Sequence, residues 1–410
     1  MKTFIPFICS VIVVTASADI VENVVVDTSQ APSNYVVSYT INPPIGYSDC
    51  VAYIKAGVSD DNGNNFQNLC DNISKHYSGD INKSLNAGNY SFNFQPYAPI
   101  FIQNAKIKIT AEITDKFLQT TGAIWKCVAA TAPWTKRFHH QCVVFDNKIW
   151  VLGGNDINGM RNDVWSSPDG TNWTEVTLAA PWSKRADHQS LVFDNKIWVI
   201  GGDEFFGEKN DVWSSTDGTN WTEVTAAAPW EGRYDHQSVV FDNKIWVIGG
   251  YVNDGYKNDV WSSSDGINWI EVTPAASWSS RVGHQSVVFD NKIWVVGGYG
   301  SGSGVKNDTW SSLDGTNWVE VTSNALWCGR LGHQSLVHNN KIWVIGGYNY
   351  YNRYNDVYSS LYGSAWTLIT GSAKWNGRNG HQSMVFDNKI WVIGGSEPGI
   401  KNDVWCSPPE

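Results

Sequence analysis

The sequence predicts an all-β chain: six four-stranded blades closed into a propeller over residues 123–410, preceded by a β-sandwich over 19–122 and a leader over 1–18. Three observations carry this. Arg137, Arg185, Arg233, Arg281, Arg330 and Arg378 recur every 48 or 49 positions, each with a His three residues on. A Gly pair ends the apolar run of every unit, and all 23 Trp lie after residue 122. A period near 50 with such landmarks marks β-units that bury their faces only against one another. Composition agrees. At 410 residues the chain exceeds one hydrophobic core, and 13% aromatic with 17% charged residues excludes disorder over most of its length. A formal charge of −10 argues against a surface built for the phosphate backbone of a nucleic acid.

The elements follow in chain order. Met1-Lys2, the apolar stretch Thr3 to Val14 and the small residues Ala16-Ser17-Ala18 form a secretory leader pattern that predicts cleavage before Asp19. The expected location is therefore outside the cell or in the lumen of the secretory and endolysosomal pathway. The leader's apolar run is too short to cross a bilayer, and no later run reaches 18 residues, so no membrane span is expected. Export permits disulfides among Cys50, Cys70, Cys127, Cys142, Cys328 and Cys406. It also suits six Asn-x-Ser/Thr sequons, at Asn72, Asn82, Asn89, Asn172, Asn220 and Asn307.

Residues 19–122 lack Trp and carry alternating stretches at Tyr35 to Thr40, Tyr90 to Phe94 and Lys106 to Ile113, the pattern of strands in a sandwich. Leu69-Cys70, Leu85 to Phe92, Pro99, and Lys106 to Ile109 leading into Thr114-Asp115 resemble the ML lipid-recognition family, relatives of the Niemann–Pick type C sterol carrier. The resemblance implies a lipid pocket. It departs near Leu85, where Lys83 and Ser84 stand in place of a family Cys. A Cys50–Cys70 disulfide and the family-like Cys50–Cys127 pairing both stay open.

Within the unit from His236 to Thr273, Gln237 to Phe241 reads as strand a, Asp242-Asn243 as a turn, and Lys244 to Ile248 as strand b. After a variable loop come strand c, Asn258 to Ser263, the turn Asp265-Gly266, and strand d, Asn268 to Thr273. The last unit stops at Asn402 to Cys406 without a strand d, while residues 124–128 form an orphan one, so the N-terminal strand is expected to complete the sixth blade and close the ring. Aligned to complete units, Cys127 and Cys406 fall on strands d and c, which predicts a disulfide locking the ring. Cys142 and Cys328 are expected as packed thiols. Arg-x-x-His-Gln-Ser, the run into Gly-Gly, Asn-Asp-Val-Trp and the later Asn-Trp resemble the kelch repeat, as in the propeller of galactose oxidase. The fifth unit departs, with Tyr358 for Trp and Ala365 for Asn. The resemblance implies a six-bladed propeller and leaves the chemistry open.

The repeated Arg, His and Asp residues recur once per blade and are expected to be scaffold. Neither P-loop, G-x-G-x-x-G nor G-x-S-x-G occurs, and no catalytic residue, metal ligand or cofactor is assigned. Function is expected where the units differ. The b–c and d–a connections share one face, and its variable residues are Phe138, His139, Asp187, Phe205, Phe206, Tyr234, Asp235, Tyr251, Tyr256, Tyr299, Tyr348, Tyr351 and Arg353. Aromatics interleaved with polar groups suit a glycan or a protein ligand. The favoured reading is a secreted, non-enzymatic binding protein. Its rival is a carbohydrate-active enzyme like galactose oxidase or a sialic-acid mutarotase, for which Glu204 with Arg353 is the candidate acid/base pair.

Overall fold

The computed structural model describes residues 124–408, apart from 254 and 303, and before them the backbone of nine strands. Two units are separable, Met1–Gln119 with Leu368–Ser372, and Thr120–Thr367 with Ala373–Glu410. In the first, Lys106–Thr114 lies antiparallel on Val51–Ser59, which also pairs with Gln67–Asn68 and Ser84–Leu85. Ser10–Val13, inside the expected leader, runs parallel along Lys106 to Ile109. A second sheet takes Val21–Asp27, Tyr35–Ile41, Gly88–Phe94 and Tyr77–Gly79 in that order. Cys50, Cys70, Asn72, Asn82, the side chain of Asn89 and any lipid pocket lie outside the described residues.

The second unit is the propeller. Its first blade is Gln141–Phe145, Lys148–Asp156, Gly159–Ser167 and Thr174–Thr177, strands a to d in antiparallel order. Blades two to five repeat it. The sixth takes Gln382–Phe386, Lys389–Glu397 and Gly399–Cys406 from the C-terminus and Lys126–Ala129 as its outer strand. Neighbouring a strands touch all round the ring, the sixth against the first included. The wheel is closed.

Strand b explains why a lone blade could not fold. It is buried on both faces, so its alternation addresses two neighbours instead of core and water. Ile245 and Val247 pack with Leu191, Trp198 and Trp230 on one side, while Trp246 and Ile248 pack with Ile293, Val295 and Trp278 on the other. The c–d turn glycine serves the same contact. A Cβ at Gly218 would stand 2.3 Å from the Trp150 ring of the preceding blade, and one at Gly170 would stand 2.3 Å from Trp391 across the closing seam.

One buried ion pair holds each blade's entry loop. The Arg233 guanidinium donates to both carboxylate oxygens of Asp259 at 2.8 Å and to the Gly249 carbonyl at 2.9 Å. The indole of Trp261 donates to the same carboxylate, and the guanidinium lies 5.7 Å from the Trp230 ring centroid. The same bridge occurs as Arg137–Asp163, Arg185–Asp211, Arg281–Asp308, Arg330–Asp356 and Arg378–Asp403. Beside it, the Asn of each Asn-Asp pair fastens the next blade. Asn162 donates to the carbonyls of Ala180 and Trp182, and Asn402 makes the identical bonds to Ala132 and Trp134. Trp125 meets Trp375 edge-on at 5.6 Å, where the complete blades place pairs such as Trp173 on Trp134 at 5.8 Å. The sixth seam therefore uses the chemistry of the other five. The six repeated His are buried and neutral: burial and the adjacent Arg hold His188, for example, down to about 3. Arg, Asp and His are scaffold, as expected.

Two expectations about cysteines are corrected. Cys127 lies opposite Trp405, and Lys126 opposite Cys406. One residue out of register turns two side chains to opposite faces of a sheet, so Cys127 is exposed, Cys406 is buried and both are free thiols. Ring closure is noncovalent there. Cys142 is the packed thiol expected, its pKa raised by burial, but Cys328 is disulfide-bonded. Asn172 and Asn220 are exposed in c–d turns, and the Asn307 amide donates to Asn324, Ala325 and Trp327 in a seam.

Removing one half of a buried pair strands the other. Asp259→Ala should cost about 3–5 kcal/mol in denaturant unfolding, while Glu271→Ala on the exposed outer strand should stay within about 0.5 kcal/mol.

Candidate functional site

The b–c hairpins and d–a loops share one face. Single bridges tie them together at Phe138 and Asn155, Ala186 and Asp203, Tyr234 and Tyr251, and Leu331 and Tyr348. The residue two positions after each repeated Arg reaches the axis, where six backbone hydrogen bonds run from blade to blade. Asp187 donates its N–H to the carbonyl of His139, Asp235 to Asp187, Gly283 to Asp235, Gly332 to Gly283, Gly380 to Gly332 and His139 to Gly380, at 2.8 to 3.2 Å. The circle closes on itself.

All six residues hold φ between 50° and 61°. This left-handed conformation is free to Gly and costs an ordinary residue roughly 1 kcal/mol. Gly283, Gly332 and Gly380 meet the requirement in blades four to six. His139, Asp187 and Asp235 occupy the same places in blades one to three, so half of the axial circle carries side chains and half does not.

Those three side chains converge. The His139 Nδ1 hydrogen-bonds an Asp187 carboxylate oxygen, Asp187 and Asp235 share a further hydrogen bond, and one potential ligand atom from each residue lies within 4.8 Å of the other two. Phe138 packs edge-on against the imidazole at 4.8 Å. The ring also lies over Gly380, where a Cβ would come within 2.5 Å of Cδ2. A side chain at 380 is excluded by the imidazole itself.

Charge crowding sets the protonation. Burial pulls the imidazole of His139 down, but the charge and hydrogen bond of Asp187, assisted by Asp235, overcome this and push it up to about 9. For Asp187 burial acts upward and loses to His139, which holds the carboxylate below its ordinary range. Burial, then the charge of Asp187, lifts Asp235 well above that range, so it is the protonated member. Asp203 beside them is pushed up to about 6 by burial and the charges of Asp187, Glu208 and Glu204. The group is a cationic imidazole, a carboxylate and a neutral carboxyl on one rigid frame.

Away from the axis the face is lined by tyrosine. Tyr234 meets Tyr251 at 5.2 Å, Tyr251 meets Tyr256 at 5.4 Å, Tyr256 meets Tyr299 at 5.7 Å, and Tyr350 joins Tyr299 at 5.6 Å to Tyr348 at 5.8 Å. Six rings thus form one continuous arc over blades three to five. Its ends reach the axis, since Tyr348 lies over Gly332, and Tyr234 adjoins Asp235, its hydroxyl raised to about 12 by burial and then by that neighbour. Phe205 and Phe206, packed on each other at the blade-two hairpin, are 88% and 89% exposed, and Tyr351 is exposed on blade five. The Glu204 with Arg353 pairing does not form: Glu204 is ion-paired with Lys209, and Arg353 donates to Asn379. Sequence reasoning named His139, Asp187 and Asp235 without joining them. The signal was present as Gly at the matching place in the other three units.

A family model for the KLHDC2/KLHL20/DRC7 Kelch-repeats domain matches residues 116–250 and 268–410, and one for the Kelch motif matches 232–275. The chain belongs to the kelch-repeat family. No curated protein matches it. Within this kelch propeller, the domain match passes over 251–267, the stretch that carries Tyr251 and Tyr256.

Because His139 owes its raised value to Asp187, its ring resonances should titrate near 9 by NMR, and Asp187→Asn should move the midpoint below the ordinary 6.5. The sign follows for stability: what His139 adds is fully present below its unfolded value and is lost as pH rises through about 9.

Proposed function

We infer that the chain is a protein-binding module, the role its kelch propeller suggests. We propose, more specifically, a secreted non-enzymatic binding protein whose b–c and d–a loop face recognises a protein or glycan ligand. The tyrosine arc carries this reading. Tyr offers a large rigid contact with a polar tip and little rotamer entropy to lose, which is why it concentrates in recognition surfaces. Half-buried rings held against one another are already ordered, so the cost of fixing them on binding is reduced. The exposed Phe205–Phe206 pair extends the apolar area beyond the arc. Secretion rests on the leader pattern, and a lipid ligand for the N-terminal unit rests on its ML resemblance.

A second reading, a carbohydrate-active enzyme, draws on the axial group, since a neutral carboxyl beside a carboxylate supplies an acid and a base. The binding reading is favoured because the aromatic surface is far wider than that group.

The test is a glycan array together with proximity labelling in medium conditioned by the secreting host, both using the full chain. Tyr256→Ala with Tyr299→Ala should weaken any specific signal by about 10- to 100-fold, the range of a hot-spot pair. An undiminished signal places recognition elsewhere, and sugar turnover without binding favours the enzyme.

A further inference from the structure

We propose that His139, Asp187 and Asp235 form a divalent-metal site at the axial mouth of the propeller, with zinc the ion their donor set suits. One imidazole and two carboxylates are the mixed nitrogen and oxygen ligands of an open zinc site with three protein donors. Donors around a tetrahedral ion stand about 3.4 Å apart, and one potential ligand atom from each of the three residues already lies within 4.8 Å of the others.

Two further observations point to a ligand rather than to incidental charge. The scaffold repeats sixfold in its Arg, Asp, Asn, His and Trp, yet only half of the axial circle bears ligating groups, and the other half is Gly with the same backbone. The three donors are also fixed from below, because the N–H and C=O of each belong to the closed hydrogen-bonded circle, so they ride on a rigid frame.

The three side chains are now joined by two hydrogen bonds, His139 to Asp187 and Asp187 to Asp235, and each bridging proton leaves when a cation takes the lone pairs. Entry of a dication forms one metal–nitrogen and two metal–oxygen bonds, releases both protons to solvent and leaves the net charge of the cluster unchanged. No oxidant or reductant is involved.

The experiment is calorimetric titration of the full chain, stripped with EDTA, with zinc chloride. Expected are one ion per chain, release of about two protons, read from buffers of different ionisation enthalpy, and affinity falling by up to about 100-fold per pH unit on acidification, tenfold per proton. Asp187→Gly and Asp235→Gly install the residue that the other three blades already carry, so they should fold with an unchanged or higher melting temperature and bind zinc at least 30-fold more weakly. Absence of a one-to-one site, zinc binding unaltered in Asp235→Gly, or calcium or magnesium bound as tightly as zinc would each overturn the proposal.

Discussion

The buried guanidinium–carboxylate bridge at the entrance of each blade is the interaction on which everything else rests. It joins the loop that brings the chain to the axis to strand c of the same blade, and its third bond fixes the first glycine of the Gly pair. With Arg held, the residue two positions later has one place to go, the axis, and the residue after that, the repeated His, is buried against the first glycine of the preceding blade's Gly pair. In the interior such a pair survives only with its hydrogen-bonding capacity filled, and here the indole of the neighbouring Trp and the Gly carbonyl fill it. Stability and the geometry of the mouth come from one set of contacts.

Closure follows from repetition. The sixth seam reproduces the Asn bonds, the Trp-on-Gly contact and the edge-on Trp pair of the other five, using residues 221 to 270 positions apart in sequence. A covalent lock is unnecessary where each seam is equivalent, which fits two free thiols at the place where a disulfide was expected. Against this uniform frame, differences between blades stand out. They collect on one face: carboxylates and an imidazole over blades one to three at the axis, and tyrosines over blades three to five.

Much of this was legible in the sequence because repeats provide their own comparison. Arg, His, Trp and the Gly pair declared themselves scaffold by recurring, and the missing outer strand of the last unit pointed to residues 124–128. The Cys127 with Cys406 pairing failed because alignment gives the strand and not the cross-strand register, and one step of register reverses the face. The axial cluster was missed for a different reason: His139, Asp187 and Asp235 are 48 residues apart, and only the backbone circle at the axis shows that matching positions in successive blades become neighbours.

The central claim is that this circle is whole and that the blade-six seam is as tight as the rest. Native-state hydrogen exchange followed amide by amide tests it most directly. The closed ring predicts that the N–H groups of His139, Asp187, Asp235, Gly283, Gly332 and Gly380 exchange at similarly slow rates and open together on global unfolding. Exchange at His139 and Ala132 orders of magnitude faster than at Asp235 would mean that the ring stands open between its first and last blades.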